Sequence, residues 1–356
     1  MEHMDWLKMS VEAAAPNNTV LYDRAGNPSV MVRIPKFRIC DVMDGGSDQV
    51  HPAFLVNGRE IPAFYVSKFS NVLVDGLACS LPGVSPQSEL PREEVKAACE
   101  GKGRGWHMMT NAEWAAIALW CKKNGFQPRG NNAFAKDYSR SYERGAVTYT
   151  YVRNGEVREG KTAVGSGPVS WNHDNTPAGI ADMNGNVWTQ VGGLRVVEGE
   201  IQIIPDNNAA AGADESEDSP LWRAILPSGA LAAPGTSGTM KYAQEDGNLL
   251  LADDVLEVKD IWASAAFGVL SARVPVPELA KALALFPADR EGYGEQGIWC
   301  NNTGERFPWR GGTWDAFQAS GIYCLFLCYP RSHRSEWMGF RAAYINPDEF
   351  EGGTAQ

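Results

Sequence analysis

Cysteine side chains are the first candidates for chemistry in this chain, because thiolates bind metals and carry out redox reactions. The seven cysteines include no Cys-x-x-Cys pair, and the two closest in sequence are Cys324 and Cys328. On a strand these two would share one face about 13 Å apart, at ~3.3 Å per residue, which is too far to chelate one ion. The odd, scattered set favours free thiols made in a reducing compartment over a disulfide framework.

Histidine and nucleophile patterns also offer no catalytic site. The five histidines, at 3, 51, 107, 173 and 333, form no helical i, i+4 pair beside a carboxylate, so no iron site is predicted. We expect His107 and His173 to be hydrogen-bonded structural residues. The sequence contains neither a Gly-x-Ser-x-Gly elbow nor a phosphate-binding P-loop. It therefore predicts no catalytic residue, no metal ligand and no cofactor.

The oxygen-rich run Asp182-Met-Asn-Gly-Asn186 has two interpretations, a calcium loop or a tight turn. A calcium loop needs glycine at its sixth position and glutamate at its twelfth, where this chain has Val187 and Gly193. The turn is favoured, with Asn184 and Gly185 at positive φ and Trp188 packing inward.

Composition excludes several classes of protein. The 356 residues carry a net charge of −11, with a pI near 5.1, which opposes nucleic-acid binding. No apolar run approaches the ~20 residues that span a bilayer, and no signal peptide is visible. Twelve tryptophans and 37 glycines suit a loop-rich mixed fold in which indoles fill irregular space.

The elements that must position any site can be placed coarsely. Strands are predicted at 19–22 and 29–34, and at 53–56 and 61–66, the second pair joined by an Asn57-Gly58 hairpin turn. A helix is predicted from Pro91 to Glu100, and another begins at the capping box Thr110-Asn-Ala-Glu113 and ends at Gly125. Residues 205–240, with an acidic run at 214–218, are predicted to form an irregular solvated loop, and a short helix follows at 277–286.

Several motifs in order resemble the formylglycine-generating-enzyme branch of the C-type-lectin fold. They are Met31-Val-Arg-Ile-Pro-Lys36, Phe64-Tyr-Val-Ser-Lys68, Gly105 to Trp114, Asp182-Met-Asn-Gly-Asn-Val-Trp188, Arg310-Gly-Gly-Thr-Trp314 and Gly339-Phe-Arg341. The resemblance implies an α+β, loop-rich C-type-lectin-like domain over residues 28–345, with an insertion at about 195–290. An N-terminal segment, 1–27, would serve assembly or attachment, and 346–356 would form a tail.

The same resemblance raises an enzymatic alternative, a copper-dependent oxidase of the formylglycine-generating type. Those enzymes use two cysteines near the C-terminus, where this chain has Cys324 and Cys328. The spacing of the pair differs from the family's, and the arginine and serine residues usually found around it are not recognisable. The sequence therefore favours a protein that is not an enzyme.

The segment between Arg310 and Arg341 resembles the variable proteins of diversity-generating retroelements, in which error-prone reverse transcription rewrites the end of a gene. Its fixed parts would be Arg310-Gly-Gly-Thr-Trp314 and Met338-Gly-Phe-Arg341, and residues 315–337 would vary. Strand alternation assigns Tyr323, Leu325 and Leu327 to the core. It places Ile322, Cys324, Phe326 and Cys328 on the other face, either exposed for binding or simply buried.

The resemblance implies a ligand-binding face on that segment. Its residues are Asp315, Phe317, Gln318, Ser320, Phe326, Cys328, Tyr329, His333, Arg334, Glu336 and Trp337. Adenine mutagenesis of AAC codons produces codons that end in C. Such codons can encode all of these residues except Gln318, Glu336 and Trp337. Aromatic anchors of this kind suit a protein or glycan receptor on a cell surface.

The resemblance also suggests a setting. Variable proteins often sit on phage tails, so we expect a virion protein made in the bacterial cytoplasm that recognises the host. A homotrimer, other tail proteins as partners, and no membrane insertion are expected. The remaining alternative is a purely structural virion protein whose C-terminal strand is buried core.

Overall fold

The computed structural model describes residues 5 to 351, and strands dominate it. The helices are α1 (Trp6–Ala14), α2 (Ile39–Val42), α3 (Arg92–Glu100), α4 (Asn111–Lys123), α5 (Glu278–Ala282) and α6 (Pro347–Phe350). The strands are β1 (Asn18–Tyr22), β2 (Pro28–Pro35), β3 (Leu55–Val56), β4 (Arg59–Glu60), β5 (Ala63–Ser67), β6 (Val72–Val74), β7 (Leu77–Cys79), β8 (Trp106–Met108), β9 (Thr150–Arg153), β10 (Glu156–Glu159), β11 (Trp188–Gln190), β12 (Leu194–Val197), β13 (Glu200–Ile203), β14 (Arg223–Ile225), β15 (Leu231–Ala232), β16 (Lys241–Glu245), β17 (Asn248–Ala252), β18 (Ala263–Ala266), β19 (Ser271–Ala272), β20 (Gly297–Cys300), β21 (Glu305–Arg306), β22 (Trp309–Gly311), β23 (Gly321–Leu327), β24 (Met338–Phe340) and β25 (Ala342–Tyr344). The predicted α+β class is confirmed.

Two main sheets organise these strands. The smaller has the order β1-β2-β5-β25-β8. The larger has the order β15-β14-β13-β16-β17-β18-β20-β23-β22-β11-β24, with β12, β19 and β21 attached at its side. Because β24 and β25 belong to different sheets and only Arg341 separates them, that residue lies where the chain passes from one sheet to the other. No helix between residues 5 and 351 combines the length and the apolarity needed to cross a membrane.

The first predicted strand pair is confirmed. β1 and β2 are antiparallel, with Asn18 opposite Val32 and Tyr22 opposite Pro28. β1 therefore joins the smaller sheet, although its residues fall in the segment 1–27 that was predicted to serve assembly. Helix α1 belongs to the same segment, lies outside the sheet and contains no buried residue. An assembly role for it stays a prediction.

The Asn57-Gly58 turn is confirmed, but it joins different strands from those predicted. Both residues have positive φ, 50° and 73°, and they connect β3 to β4. Residues 52–54 form a 3₁₀ turn, and β5 pairs with β2 instead of with residues 53–56. The Ile61 amide still donates to the Phe54 carbonyl over 2.9 Å, but the Phe54 amide donates to the His51 carbonyl in the 3₁₀ turn, so the strand pairing goes no further.

Both predicted helices in the middle of the chain form. In α4 the Glu113 amide donates to the Thr110 hydroxyl over 3.2 Å, and the Thr110 amide donates to the Glu113 carboxylate over 3.0 Å. Most residues of α4 are buried, including the predicted face of Trp114, Ile117, Ala118 and Cys121. This helix is therefore a central support of the core.

The prediction of an irregular solvated loop at 205–240 is wrong. This part of the chain contains β14 and β15 and extends the larger sheet. Glu215 of the acidic run is buried in an ion pair with Arg92 and accepts a hydrogen bond from the Gly193 amide at 2.8 Å. Trp222 is fully buried. Local composition predicted solvent exposure here, but long-range strand pairing determined the structure.

The predicted helix at 277–286 is shorter, because α5 ends at Ala282. The carbonyls of Leu283 and Ala284 accept hydrogen bonds from the Arg310 guanidinium at 3.3 and 3.1 Å. Ala284 also has a positive φ of 49°, which no regular helix allows. The helix therefore ends where the carbonyls of Leu283 and Ala284 bond to Arg310, which is distant in sequence.

Candidate ligand-binding face

Strand β23 lies inside the larger sheet, between β20 and β22, and all of its residues are buried. Helix α4 fixes it from the core side. The Trp114 indole donates to the Ile322 carbonyl over 2.7 Å, and the Tyr323 hydroxyl donates to the Ala118 carbonyl over 2.9 Å. These bonds hold the backbone from which the predicted binding residues project.

The assignment of faces along β23 is largely confirmed. Tyr323, Leu325 and Leu327 lie in the main hydrophobic core, as predicted. Cys324, Phe326 and Cys328 lie together on the opposite face. Ile322 was placed on that second face and instead packs in the main core. Pairing with β22 is irregular in this part, with a register shift between Arg310 and Gly311, and simple alternation does not hold there.

A cluster of aromatic rings covers the second face of β23. This aromatic cluster consists of Trp188, Trp299, Trp309, Phe326, Tyr329 and His333. The Phe326 ring stacks on Trp309 with centroids 5.4 Å apart, and the Tyr329 and His333 rings stack at 3.7 Å. Trp262, which follows β17 in the insertion, packs against both Phe326 and Tyr329. Four predicted binding residues therefore meet here: Phe326, Cys328, Tyr329 and His333.

The predicted exposure of Ser320, Phe326 and Cys328 is wrong, because all three are buried in the free chain. Surrounding indoles leave Phe326 only 8% exposed. The Ser320 hydroxyl donates to the Gly311 carbonyl over 2.9 Å. Apolar neighbours from β11, β20 and β22 cover this face, and the sequence of β23 alone could not reveal them. A ligand-binding role for these three residues stays a prediction.

Other predicted binding residues do reach the surface. Phe317 is 40% exposed and Trp337 is 36% exposed, while Gln318 and Arg334 are also exposed. Asp315, Tyr329, His333 and Glu336 are half-buried. Phe317 has a φ of 49° and packs edge-on against Phe134 at 5.6 Å, so its exposed ring is held in place.

The hairpin of β9 and β10 borders this surface. Short strands are expected from the sequence over residues 146–197, but this hairpin was not assigned to the binding face. Arg153 lies 3.5 Å from the Asp315 carboxylate, and the Tyr149 hydroxyl just before β9 donates to Glu336. Val152 and Val157 are paired across the hairpin and largely exposed. The Asn154-Gly155 turn was the available signal, since this dipeptide favours a two-residue hairpin turn. Asp315, Phe317, Glu336 and Trp337 form the second group of predicted residues, beside this hairpin.

Burial and pairing alter the titration of this second group. Burial raises the pKa of Asp315, although the Arg153 guanidinium opposes that shift. The hydrogen bond to Glu336 raises the pKa of Tyr149 to about 12.

In the aromatic cluster, burial lowers the pKa of His333. His333 is therefore neutral at pH 7 and stacks on Tyr329 as an uncharged ring.

Ion pairs hold the turn at residues 330–337 against helix α3. Arg331 pairs with Glu305 at 2.9 Å and with Glu93 at 2.7 Å. Arg334 pairs with Glu94 at 2.6 Å, so it points away from the aromatic cluster. The structure does not bring Arg334 together with the other predicted binding residues. Arg331 was not predicted and serves to anchor this turn.

Two buried arginines frame the segment. Arg310 donates to the Asn111 side chain at 2.7 and 3.0 Å, and Arg341 donates to the carbonyls of Ser67, Lys68 and Asp182 at 3.0 to 3.2 Å. Both guanidinium groups are fully buried, and burial lowers the pKa of each to about 10. Both therefore stay charged at neutral pH. They bond segments distant in sequence into one scaffold around residues 315–337.

A cavity of about 200 Å³ opens beside the start of β23, and we call it the polar cavity. Gln318 and Ser320 line it, together with Tyr138, Glu295 and Gln296. It contains the third group of predicted residues. The predicted binding residues thus divide among the aromatic cluster, the hairpin side and the polar cavity, with Arg334 apart.

The run at 182–186 forms a turn that packs beneath this face. Asp182, Gly185 and Asn186 have positive φ, whereas Asn184, which was predicted to, does not. The side chains of Asp182 and Asn186 also form hydrogen bonds that hold the turn. The Asp182 carboxylate accepts from the Gly165 amide at 2.8 Å. Trp188 is buried, as predicted, and enters the aromatic cluster.

The cysteine pair of the enzymatic alternative is deeply buried. Phe326 lies between Cys324 and Cys328 on the same face of the strand, and burial raises the pKa of both thiols. Thiolates, the form that binds copper, are therefore disfavoured at neutral pH. Among residues 5 to 351, no three His, Cys, Asp or Glu side chains are grouped so that they could hold a metal ion.

Comparisons with known proteins give structural similarity without sequence matches. No protein-family model and no curated protein matches the chain. The solved structures that are similar to it include the following three. PvdO from Pseudomonas aeruginosa is 15% identical, with 92% of this chain and 98% of that chain covered and a TM-score of 0.36. Treponema denticola variable protein 1 is 12% identical, with 93% and 99% covered and a TM-score of 0.36. The Major Tropism Determinant U1 variant is 11% identical, with 89% and 63% covered and a TM-score of 0.33.

Proposed function

We propose that this chain is a receptor-binding protein of the diversity-generating-retroelement type, which displays residues 315–337 to a cell-surface receptor and serves host recognition on a phage tail. The supporting observation is that exposed aromatic side chains, Phe317 and Trp337, lie in a segment framed by the buried Arg310 and Arg341. Aromatic side chains provide much of the contact energy in protein interfaces.

This arrangement separates binding from folding. The hydrogen bonds of Arg310, Arg341 and the β23 backbone hold the segment without using the side chain of an exposed predicted position. Arg334 is the exposed predicted residue whose side chain also pairs at the turn, with Glu94. Side chains at Asp315, Phe317 and Trp337 can therefore change with little effect on the fold. A face that must vary needs this independence, because each new sequence has to fold on the same scaffold.

Sequencing of the surrounding DNA, with many copies of the gene's 3′ end from the source population, tests the proposal. We expect a near-repeat of the segment encoding residues 310–341, differing at adenines, beside a reverse-transcriptase gene. Variation among copies should concentrate at the predicted binding positions and spare Arg310 and Arg341. A uniform sequence over 315–337 with no such repeat would overturn the proposal.

A purely structural virion protein is the second candidate, and the burial of β23 on both faces favours it. The two candidates differ in what a surface substitution does. In a receptor-binding protein, Trp337→Ala and Phe317→Ala reduce attachment of the particle, or of the purified chain, to cells and leave folding unchanged. In a structural protein the same substitutions leave attachment unchanged.

A further inference from the structure

The polar cavity includes predicted binding residues, and its walls come from several separate parts of the chain, among them the loop that carries Tyr138. Residues 126–129 follow α4, residues 292–296 precede β20, and residues 318–323 lead into β23. The loop that carries Tyr138 is held firmly, because its amide donates to the Asn132 side chain at 2.7 Å. The Asp137 carboxylate also accepts from the amide and hydroxyl of Ser139 at 2.9 and 2.6 Å. The cavity is therefore preorganised.

The two cationic side chains that line the cavity are already paired with internal carboxylates. Arg129 forms a two-pronged pair with Glu143, with N···O distances of 2.6 to 3.0 Å. Lys122 pairs with Asp289 at 2.6 Å. An anionic ligand would have to compete with these pairs and would meet the carboxylates of Asp137 and Glu295, which favours a neutral ligand over an anion.

Several neutral hydrogen-bonding groups in the cavity remain free. The Gln296 carbonyl accepts from the Tyr323 amide at 2.7 Å, which leaves its NH₂ group available. Within residues 5 to 351, the Gln318 side chain and the Tyr138 hydroxyl also have no hydrogen-bond partner, and Glu295 forms no ion pair. Amides and phenols both donate and accept, as ligand hydroxyl groups do, and the Glu295 carboxylate accepts.

One aromatic ring completes this set. Tyr138 is half exposed at the cavity and presents an apolar ring face beside its polar hydroxyl. The cavity of about 200 Å³ therefore offers free amides, one carboxylate and the face of an aromatic ring. These groups match a small ligand ring that carries hydroxyl groups on its edge and C–H bonds on its faces. A sugar ring has this chemistry.

We propose that the polar cavity binds one neutral sugar ring of a receptor glycan. This inference rests on the proposed function, because Gln318 and Ser320 belong to the predicted variable face, and it names the ligand class of one part of that face. Tyr138, Glu295 and Gln296 lie outside residues 315–337 and recognise the class of ligand. Changes at Gln318 alter which sugar fits. Among the described residues, no three His, Cys, Asp or Glu side chains are grouped so that they could hold a metal ion, so we expect sugar binding to persist in EDTA.

Saturation-transfer NMR on the full chain tests this inference. The probes are the methyl glycosides of glucose, galactose, mannose and N-acetylglucosamine at millimolar concentration, in the presence of EDTA. We expect at least one to bind, with its ring protons saturated and the free monosaccharide competing. Gln318→Ala and Tyr138→Ala should each weaken that binding by about tenfold, the effect of losing a hydrogen bond or a stacking contact. Gln49→Ala, at an exposed glutamine outside the cavity, is the matched control and should leave binding unchanged.

Two outcomes overturn the inference: none of the four glycosides binds, or binding is the same in both cavity variants as in the Gln49 control. Neither outcome affects the proposed function, which population sequencing and the Trp337 and Phe317 variants test separately. Conversely, if the gene segment is uniform but the cavity still binds a sugar, the sugar site stands and the proposed variation at Gln318 and Ser320 does not.

Discussion

The indole of Trp262 stands edge-on against the ring of Phe326, with centroids 5.2 Å apart and ring planes at 84°. Trp262 follows β17, in the insertion, whereas Phe326 is a predicted variable residue on β23. Trp262 is itself 51% exposed. The insertion therefore covers part of the predicted binding face and continues it outward with an exposed ring of its own.

The first prediction concerns Phe326. Phe326→Ala should lower the free energy of unfolding by about 3–5 kcal/mol, because it leaves a cavity among packed indoles. Urea unfolding followed by fluorescence measures this. Phe317→Ala is the matched control, and its loss should stay below about 1 kcal/mol because Phe317 is 40% exposed and lies at the surface. Equal losses in the two variants would contradict the burial of Phe326.

A second prediction concerns the coupling between Trp262 and Phe326. Edge-to-face aromatic pairs contribute about 0.5–1.5 kcal/mol beyond the area they bury. A double-mutant cycle with Trp262→Ala and Phe326→Ala should yield a coupling energy in that range. The cycle of Trp262→Ala with Phe317→Ala serves as the control and should give a coupling near zero. Additive effects in the first cycle would mean that the two rings do not interact in solution.

The third prediction is that one thiol per native chain reacts rapidly. Cys40 is exposed, whereas the other six cysteines are buried. Burial raises the pKa of Cys99, Cys121 and Cys300, which removes the reactive thiolate. Labelling with a chromogenic disulfide should give one fast equivalent, and Cys40→Ser should abolish it. A second fast equivalent that persists in Cys40→Ser would contradict the burial of the other six cysteines.

Acid should destabilise the fold through two buried histidines. Burial lowers the pKa of His51 and of His173 from 6.5 to about 4. Between pH 6.5 and about 4 the unfolded chain binds more protons at these positions, so stability is lost as the pH falls through that window. Each histidine accounts for roughly 3 kcal/mol at most. His107 has the opposite effect on stability. Burial lowers its pKa, but Glu113 raises the pKa by more, so the stability that His107 contributes is lost as the pH rises above 6.5.

Urea unfolding at several pH values measures this acid effect. The slope of stability against pH between 6.5 and 4 should become flatter in His173→Asn and in His51→Asn, whatever their stability at pH 7. Slopes that match the unsubstituted chain in both variants would show that these histidines are accessible to protons in the folded state.

Local signals in the sequence predicted the local elements well. The capping box from Thr110 to Glu113 predicted α4, and the Asn57-Gly58 turn formed as expected. Each depends on residues within a few positions of each other, so the chemistry that forms the element is visible in the sequence. The same holds for the alternation that placed Tyr323 and Leu325 in the core.

Long-range pairing accounts for what the sequence did not predict. Glu215 lies in an acidic run that suggested solvent, but Arg92, 123 residues away, pairs with it inside the fold. Asp246-Gly247 was an available hairpin signal in the insertion, and both residues have positive φ between β16 and β17. The cover over Phe326 comes from three other strands and Trp262. No pattern within β23 distinguishes that cover from solvent.

The last prediction separates scaffold from variable positions by substituting two arginines in the same way. Arg341→Met removes the donors to the carbonyls of Ser67, Ala181 and Asp182, which stay buried and lose their partner. The Lys68 carbonyl keeps a bond from the Ala181 amide. Each such carbonyl costs about 1–3 kcal/mol, so this variant should lose at least 3 kcal/mol or fail to fold. Arg334→Met breaks only an exposed pair with Glu94 and should lose less than about 1 kcal/mol. Urea midpoints and soluble yield measure both. Similar losses in the two variants would mean that the segment has no separate scaffold, and that variation at 315–337 could not be tolerated.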